Sequence, residues 1–556
     1  MNRRFRTMAA FAAVIVALTL PGAAIPAQAQ TPTALYDFPG GAGISNPQAW
    51  ATAQGRDGNL YTTSVLGGTL GGTLFQATPS GTVNIVANIG SGVISGATLG
   101  TDGSFYGTNQ NGGTGGPGGN CGFVGAGCGQ VYKVTPAGVQ TILHSFTNAG
   151  DGSDPYSAPI EAANGVFYGT TSTQIFGGNS TAYTITPSGA FTTIHTFTGA
   201  DGQNVTASLV QGTDGDFYGD TAAGGTSSDG VIFKMTPSGS VTVLHNFAGT
   251  DGSVAYYALI QANDGNFYGT TYTGGSDGHG VVFKITPGGD YSVVHNINYS
   301  NGDGSGPSAS LIQASNGLLY GVTGSINSGN YGTIYSVDIT TGIFTTLYGF
   351  TDTTDGDNPQ SPLRQHTNGL LYGTTYSAGD LNICAGRGCG VFFSLDVGAP
   401  AFAGLVSTSG KEGAKIGILG QGFGSSSVVK FDGVTASFTR QGTAFISATV
   451  PALALTGKVT VTTGATTLSS YVEFRVTPTF ASFSPPSGPV GTPAVLTGTG
   501  LLQTTKVTFG GVKATTFTVN SDTQVTADVP TGAVTGKIEI TTKGGHVVNR
   551  TDFTVN

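Results

Sequence analysis

Four histidines, His144, His195, His245 and His295, recur at intervals of 50 or 51 residues, each followed by a residue and an aromatic or aliphatic side chain. Imidazoles are common metal ligands, so a regular set of four raises a metal centre. A set of acidic turns, Asp151-Gly-Ser-Asp154, Asp201-Gly, Asp251-Gly, Asn301-Gly-Asp-Gly304 and Asp355-Gly-Asp-Asn358, offers hard oxygen donors. Calcium needs six or more such oxygens, and the spacing of an EF-hand loop is absent. The four cysteines form two close pairs, Cys121 with Cys128 and Cys384 with Cys389. Two local disulfides are expected, the alternative being one zinc held by both pairs. A hydrolase would need an activated nucleophile and a glycosidase two placed carboxylates. No Gly-x-Ser-x-Gly elbow, His-Glu-x-x-His or phosphate loop occurs. No catalytic residue and no cofactor are expected, with calcium at the acidic turns as the alternative.

The elements that carry these residues repeat. DGNLYTT at 57, DGSFYGT at 102, NGVFYGT at 164, DGDFYGD at 214, DGNFYGT at 264, NGLLYGV at 316 and NGLLYGT at 368 are seven copies of one turn and strand. Their spacing of about 52 residues suits a four-stranded propeller blade. In the fifth copy the strands are predicted at 258–262 (a), 266–271 (b), 281–285 (c) and 291–296 (d). Asx-Gly joins a to b and Thr-Pro-x-Gly joins c to d, both tight antiparallel turns. The seventh copy stops after strand c, Val391–Leu395, while Thr33–Phe38 is a strand d with nothing before it. The N-terminal strand is therefore expected to complete the seventh blade and close the ring. This geometry answers the histidines: one per blade, they stand at least about 10 Å apart, too far to share an ion.

Composition agrees. Of 556 residues, 93 are glycine and 9% are charged, which with 24 prolines disfavours long helices and favours an all-β chain. Arg3, Arg4 and Arg6, the apolar run 9–20 and Ala27-Gln28-Ala29 read as a signal peptide, 1–29, cleaved after Ala29. Its removal lowers the cations from 20 to 17 against 29 acids, so net charge falls from −9 to −12. That balance excludes nucleic acid, and no later segment is apolar for the roughly 20 residues a membrane span needs.

The phrase Asp-Gly-Asn-Phe-Tyr-Gly-Thr-Thr, a Gly-Gly, then Gly-Val-Val-Phe-Lys-Ile-Thr-Pro resembles the GloVer (Gloeo_Verruco) tandem repeat of bacterial exported proteins. The resemblance covers 33–398 and implies export and surface display without an assigned activity. From Ala399 a different unit appears and recurs at an offset of 78 to 79 residues, as in Gly457-Lys-Val-Thr-Val461 and Gly536-Lys-Ile-Glu-Ile540. Together with Ser484-Pro-Pro-Ser-Gly-Pro489 it resembles IPT/TIG domains, which implies two immunoglobulin-like β-sandwiches, 399–476 and 477–556. Gly420-x-Gly422-x-Gly424 lies among strands with no helix after it, so it is a turn and not a dinucleotide site. The expected fold is thus a seven-bladed β-propeller over 30–398 and two sandwiches.

Binding residues are sought where the repeat breaks. The last position of strand a runs Gln54, Leu99, Glu161, Gln211, Gln261, Gln313 and Gln365, with Glu161 the charged exception. Trp50, Tyr156, Tyr256, Tyr257, Arg364 and His366 are irregular nearby and could reach the central channel. Aromatics beside a few polar groups suit a sugar or peptide. The expectation is a noncatalytic exported binding or adhesion protein, its long-loop face or channel holding a glycan or protein and its sandwiches acting as a stalk. The alternatives are a polysaccharide-active enzyme and a structural envelope component. Periplasm, cell surface and medium are all open.

Overall fold

The computed structural model describes residues 30–556 except 41–42, 46, 48–51, 70, 91, 93–94, 114–120, 122–126, 173–178 and 325–330. The proposed signal peptide and Trp50 lie outside the described residues. The chain is all-β, with seven antiparallel sheets of four strands in a, b, c, d order, arranged like the blades of a propeller. Blade 5 is representative: Ile260–Gln261, Phe267–Thr270, Val281–Ile285 and Tyr291–Asn296. Strand a is shorter than its apolar run suggested because only two residues pair with strand b. Blades 6 and 7 each gain a fifth short strand, Ser305–Pro307 and Asp357–Pro359, where the approach to strand a also pairs with strand b.

The repeated residues hold neighbouring blades together. At four of the seven junctions the tyrosine of strand b stacks on the first aromatic of the next blade's strand b: Tyr61 on Phe105, Tyr106 on Phe167, Tyr168 on Phe217 and Tyr218 on Phe267, all with centroids 3.9–4.0 Å apart. In the Asp-Gly copies its hydroxyl donates to the aspartate of its own turn, as from Tyr61 to Asp57 at 2.9 Å and from Tyr218 to Asp214 at 2.7 Å; in the Asn-Gly copies it accepts from the asparagine amide, as from Asn316 to Tyr320 at 2.8 Å. The glycine after that tyrosine leaves room for the ring on strand c. A Cβ on Gly219 would stand 2.6 Å from the Phe233 ring.

The N-terminal strand Thr33–Asp37 pairs antiparallel with strand c of blade 7, Val391–Leu395, and so supplies its strand d. It carries the same register irregularity seen in every other blade's strand d, here between Ala34 and Tyr36. Such bulges spoil the outer edge as a template for a foreign strand. Phe38, with no exposed surface, anchors the closure beside Phe75, Phe392 and Cys389. Both cysteine pairs are disulfides, Cys121–Cys128 and Cys384–Cys389, with Cα atoms 5.3 and 5.6 Å apart.

Beyond residue 400 lie two pairs of four-stranded sheets with one topology. Lys415–Leu419 and Phe445–Thr449 are central in one sheet, Val428–Phe431 and Val459–Thr463 in its partner, around a core containing Ile418, Phe431 and Phe474. Pro493–Thr499, Gln524–Asp528, Thr504–Phe509 and Ile538–Thr542 repeat that plan around Leu496, Phe509 and Phe553. Among the described residues no helix is long and apolar enough to cross a membrane.

Candidate functional site

Strand a runs from the long d-to-a connections toward the short a-to-b turns, so its two ends open on opposite mouths of the channel. At the turn end the side chain closing strand a accepts the backbone N–H of the preceding blade's turn. Gln211 accepts from Ala163 at 3.0 Å, Gln261 from Thr213 at 2.9 Å, Gln313 from Asn263 at 2.9 Å and Gln365 from Ser315 at 2.8 Å. Gln54 accepts from Thr367 at 3.1 Å across the closure between blades 7 and 1. Glu161 does the same work with both oxygens, taking the Thr101 N–H and hydroxyl at 2.6 Å each. Leu99 has no acceptor, and at that junction Arg56 donates to the Thr101 carbonyl at 2.5 Å instead. His366, 4% exposed, bridges blades 7 and 1: its Nδ1 accepts from the Asn368 N–H, which leaves Nε2–H to donate to the Gly58 carbonyl at 2.8 Å. Burial lowers its pKa against the opposing effect of these bonds.

This mouth is covered. The Phe402 N–H and the Gln421 amide both donate to the Thr367 carbonyl, at 3.1 and 3.2 Å. Ser315 donates to the Pro400 carbonyl at 2.7 Å, and the Arg56 guanidinium lies 4.6 Å over the Phe445 ring. Arg475 donates to the Thr213 carbonyl. The first C-terminal sheet pair therefore sits on the short-turn side of the ring.

The opposite mouth carries the tyrosines. Tyr156 and Tyr256 hold equivalent positions in blades 3 and 5, on either side of Thr206, whose hydroxyl donates to the Tyr256 carbonyl at 3.2 Å. Tyr256 stands edge-on to Tyr257 at 6.2 Å and tilted to Tyr272 at 5.9 Å. All four residues are partly exposed. Burial raises the Tyr156 pKa against a hydrogen bond with Gln110, and burial raises that of Tyr257 further. Just before these residues Val254 adopts φ +60°, a left-handed conformation that Asp154, Asn204 and Asn358 take in blades 3, 4 and 7. Asp and Asn tolerate it, whereas a β-branched residue is strained there.

A buried acid lies in the adjoining seam. Thr108, Thr170 and Thr374 hold equivalent positions in strand b of their blades and donate to carbonyls of the next blade's d-to-a connection, those of Pro155, Ala207 and Pro47, at 2.8, 3.1 and 3.3 Å. Blade 4 has Asp220 in that position, facing the fifth blade. Asp220 has no exposed surface, and neither carboxylate oxygen has a partner among the described residues. Burial raises its pKa well above the usual carboxylate range.

The histidine column is structural. His144, His195, His245 and His295 each meet an aspartate of the turn that follows strand d, Asp151, Asp201, Asp251 and Asp303, at 3.2, 2.8, 2.9 and 2.7 Å. Tyr348 donates to Asp355 in the same place in blade 6. Three of the rings stack on the next blade: His144 on Phe191, His245 on Tyr291 and His295 on Phe344. The acidic turns thus brace the exits of the outer strands. Among the described residues no group of three or more His, Cys, Asp or Glu is placed to hold a metal ion.

These contacts make stability depend on acid. Burial opposes ionisation of Asp201, Asp264 and Asp355, yet bonds from Thr198 and His195, from Asn266 and Tyr268, and from Thr351 and Tyr348 hold their pKa values below the ordinary one. A depressed carboxylate pKa stabilises above the unfolded value and is lost as pH falls through the folded value. His366, lowered by burial, stabilises above its unfolded pKa and loses that as the unfolded ring protonates. Asp220 and Asp357, whose carboxyl pKa values burial raises, act in the opposite sense to His366 between pH 7 and pH 4, so the unopposed loss is the lower one: the melting temperature followed by circular dichroism should fall below about pH 4. A melting temperature constant from pH 4 to pH 2 would contradict the carboxylate assignments.

The profile of the Gloeobacter/Verrucomicrobia repeat matches residues 120–302 and 257–467, which together span more than half of the chain. The chain belongs to the Gloeobacter/Verrucomicrobia repeat family. An IPT/TIG domain is matched once, over 478–555, so by sequence profile the second sandwich-like region is identified and the first is not. Comparison with curated proteins returned no match. Among solved structures, a fungal alcohol oxidase of the AA5 family in complex with copper aligns over 81% of this chain and 100% of its own, at 15% identity and a TM-score of 0.49. Virginiamycin B lyase from Staphylococcus aureus aligns over 65% and 98%, at 13% identity and 0.43. A surface glycan-binding protein from Prevotella bryantii aligns over 26% and 38%, at 17% identity and 0.22.

In this Gloeobacter/Verrucomicrobia repeat protein the residues singled out from sequence fall at two places. Tyr156, Tyr256 and Tyr257 stand at the long-loop mouth; Glu161, Arg364 and His366 stand at the mouth under the first C-terminal sheets. About four residues of extended chain, some 13 Å, separate the two levels within a blade. Tyr272, Thr206 and Asp220 escaped sequence reasoning. Asp220 was visible as the one acid in a column of threonines, Thr63, Thr108, Thr170, Thr270 and Thr374, broken otherwise by Val322.

Proposed function

We propose that this protein is a noncatalytic exported binding or adhesion protein whose ring presents the long-loop mouth to a glycan. The division is 1–29 as signal peptide, 30–398 as a seven-bladed propeller and 399–476 and 477–556 as immunoglobulin-like sandwiches. The sandwiches act as a stalk, and the shared topology of their sheets supports one fold for both. One observation carries the reading. The short-turn mouth lies under the first C-terminal sheets, while the opposite mouth offers partly exposed tyrosines beside Thr206. Flat aromatic faces with hydroxyl rims suit the apolar faces and hydroxyls of a sugar. The two disulfides support a destination outside the reducing cytoplasm.

A glycan array tests this directly. The chain lacking its first 29 residues is expected to retain a restricted set of glycans without releasing product. Tyr256→Ala should weaken that retention by about tenfold or more with the fold unchanged. Product release would favour the polysaccharide-active enzyme, and retention unaffected by Tyr256→Ala would remove the tyrosine mouth from the reading.

A further inference from the structure

The position before each closing side chain of strand a faces the channel, and reads Ala53, Thr98, Ile160, Val210, Ile260, Ile312 and Arg364 around the ring. Arg364 is the one charged residue in this column. It borders two cavities of about 280 and 290 Å³ beneath the first C-terminal sheets. The first is walled by Ile260, Ile312, Phe402 and Leu405; the second lies over the small residues Ala53 and Thr98. Arg364 does not fill the space those small residues leave. It is the sole charged residue lining either cavity, its Nε is buried without a partner, and its side chain makes no hydrogen bond or ion pair among the described residues.

Arg364 is partly exposed to this space, and no acid stands within it to pair with the guanidinium. The four glutamines at the rim of the first cavity cannot serve as acid partners, and the structure engages them in the clasps between blades. Tyr471, edge-on to Phe402 at 5.0 Å, also lines the first cavity; its carbonyl accepts from Lys458, while its hydroxyl makes no hydrogen bond among the described residues. A planar two-donor edge, a free phenol and apolar walls describe one kind of guest. We infer that this chamber between the ring and the first C-terminal sheets is a binding site for a small organic carboxylate, its carboxylate on Arg364 and its body against Ile260, Ile312 and Phe402. Arg–carboxylate pairs are commonly bidentate, which fixes orientation as well as strength. The site is separate from the tyrosine mouth and does not depend on what binds there.

Thermal-shift titration of the full mature chain tests the inference, using glucuronate against glucose and benzoate against benzamide. At least one carboxylate should raise the melting temperature saturably while its uncharged counterpart does not, and which one does tells whether the chamber prefers a hydroxylated or an aromatic body. Arg364→Ile restores the residue of blades 5 and 6, so it should fold, and it should weaken the responding acid by about tenfold or more. Arg364→Lys should keep part of the response, and Tyr256→Ala should keep all of it. No shift with either acid, or an equal shift in Arg364→Ile, would overturn the site. An equal Arg364-dependent shift with inorganic phosphate would overturn the assignment to carboxylates.

Discussion

A chain beginning at Pro39 should lose about 5–10 °C of the melting temperature of the ring, followed by near-ultraviolet circular dichroism of its buried tyrosines. The deletion removes the only partner of the outer edge of Val391–Leu395, with four paired positions from Thr33 to Asp37. It also removes Phe38, which is fully buried against Phe75 at 5.5 Å between centroids. Removing a buried phenylalanine alone costs about 3–5 kcal/mol, before the lost strand pairing is counted. A ring opened here also bares a long edge carrying Phe392 and Phe393, so the truncated protein should associate as concentration rises. Phe38→Ala separates the two effects, since it keeps the strand and loses the anchor. A truncated chain that melts within 2 °C of the parent would show that the pairing contributes little.

Asp220→Thr should stabilise the ring at pH 7 by about 2–3 kcal/mol, the cost of keeping a polar group buried without a partner. Threonine occupies this position in five other blades, and its hydroxyl can donate to the next blade as those of Thr108 and Thr170 do. The pH dependence has a definite sign. A carboxyl whose folded pKa is raised binds its proton in the fold and releases it on unfolding at neutral pH. Its destabilising effect is therefore absent below the unfolded value near 4 and grows as pH rises toward the raised folded value. Chemical denaturation of parent and variant should give stability curves that lie closer together at pH 4 than at pH 7. A constant difference across that range would mean that the carboxyl stays ionised in the fold.

The blades were legible because their signals are local. Asx-Gly and Thr-Pro-x-Gly each fix a turn within four residues, and the missing strand d at 395 and the orphan strand at 33 were both visible as breaks in one period. The predicted fifth-copy strands 281–285 and 291–296 coincide with the observed ones. The purpose of the glutamine column was not legible. Four of the glutamines meet a backbone N–H about fifty residues away and Gln54 meets one 313 residues away, and a backbone donor leaves no mark in the sequence. Glu161 therefore read as a charged exception, while its two oxygens hold Thr101. The division of the candidates between two mouths was available in principle. Tyr256 and Tyr257 precede the apolar pair of strand a, Arg364 and His366 lie at its end, and strand direction alone assigns them to opposite openings. Tyr272 could not be found in that way, since it enters from the b-to-c connection and its neighbourhood exists only after folding.

Borrowing the seventh blade's outer strand from the N-terminus has a mechanical consequence. The chain leaves the ring for its C-terminal domains from Val391–Leu395, a strand bonded on one side to Leu371–Ser377 and on the other to Thr33–Asp37. Tension applied through the C-terminal domains therefore pulls along a strand gripped at both edges, and loads both ladders in shear. Had the seventh copy ended with its own strand d, the same pull would have acted on an edge strand held by a single ladder, which can peel one pair at a time. The closure that completes the ring also sets the strength of the tether.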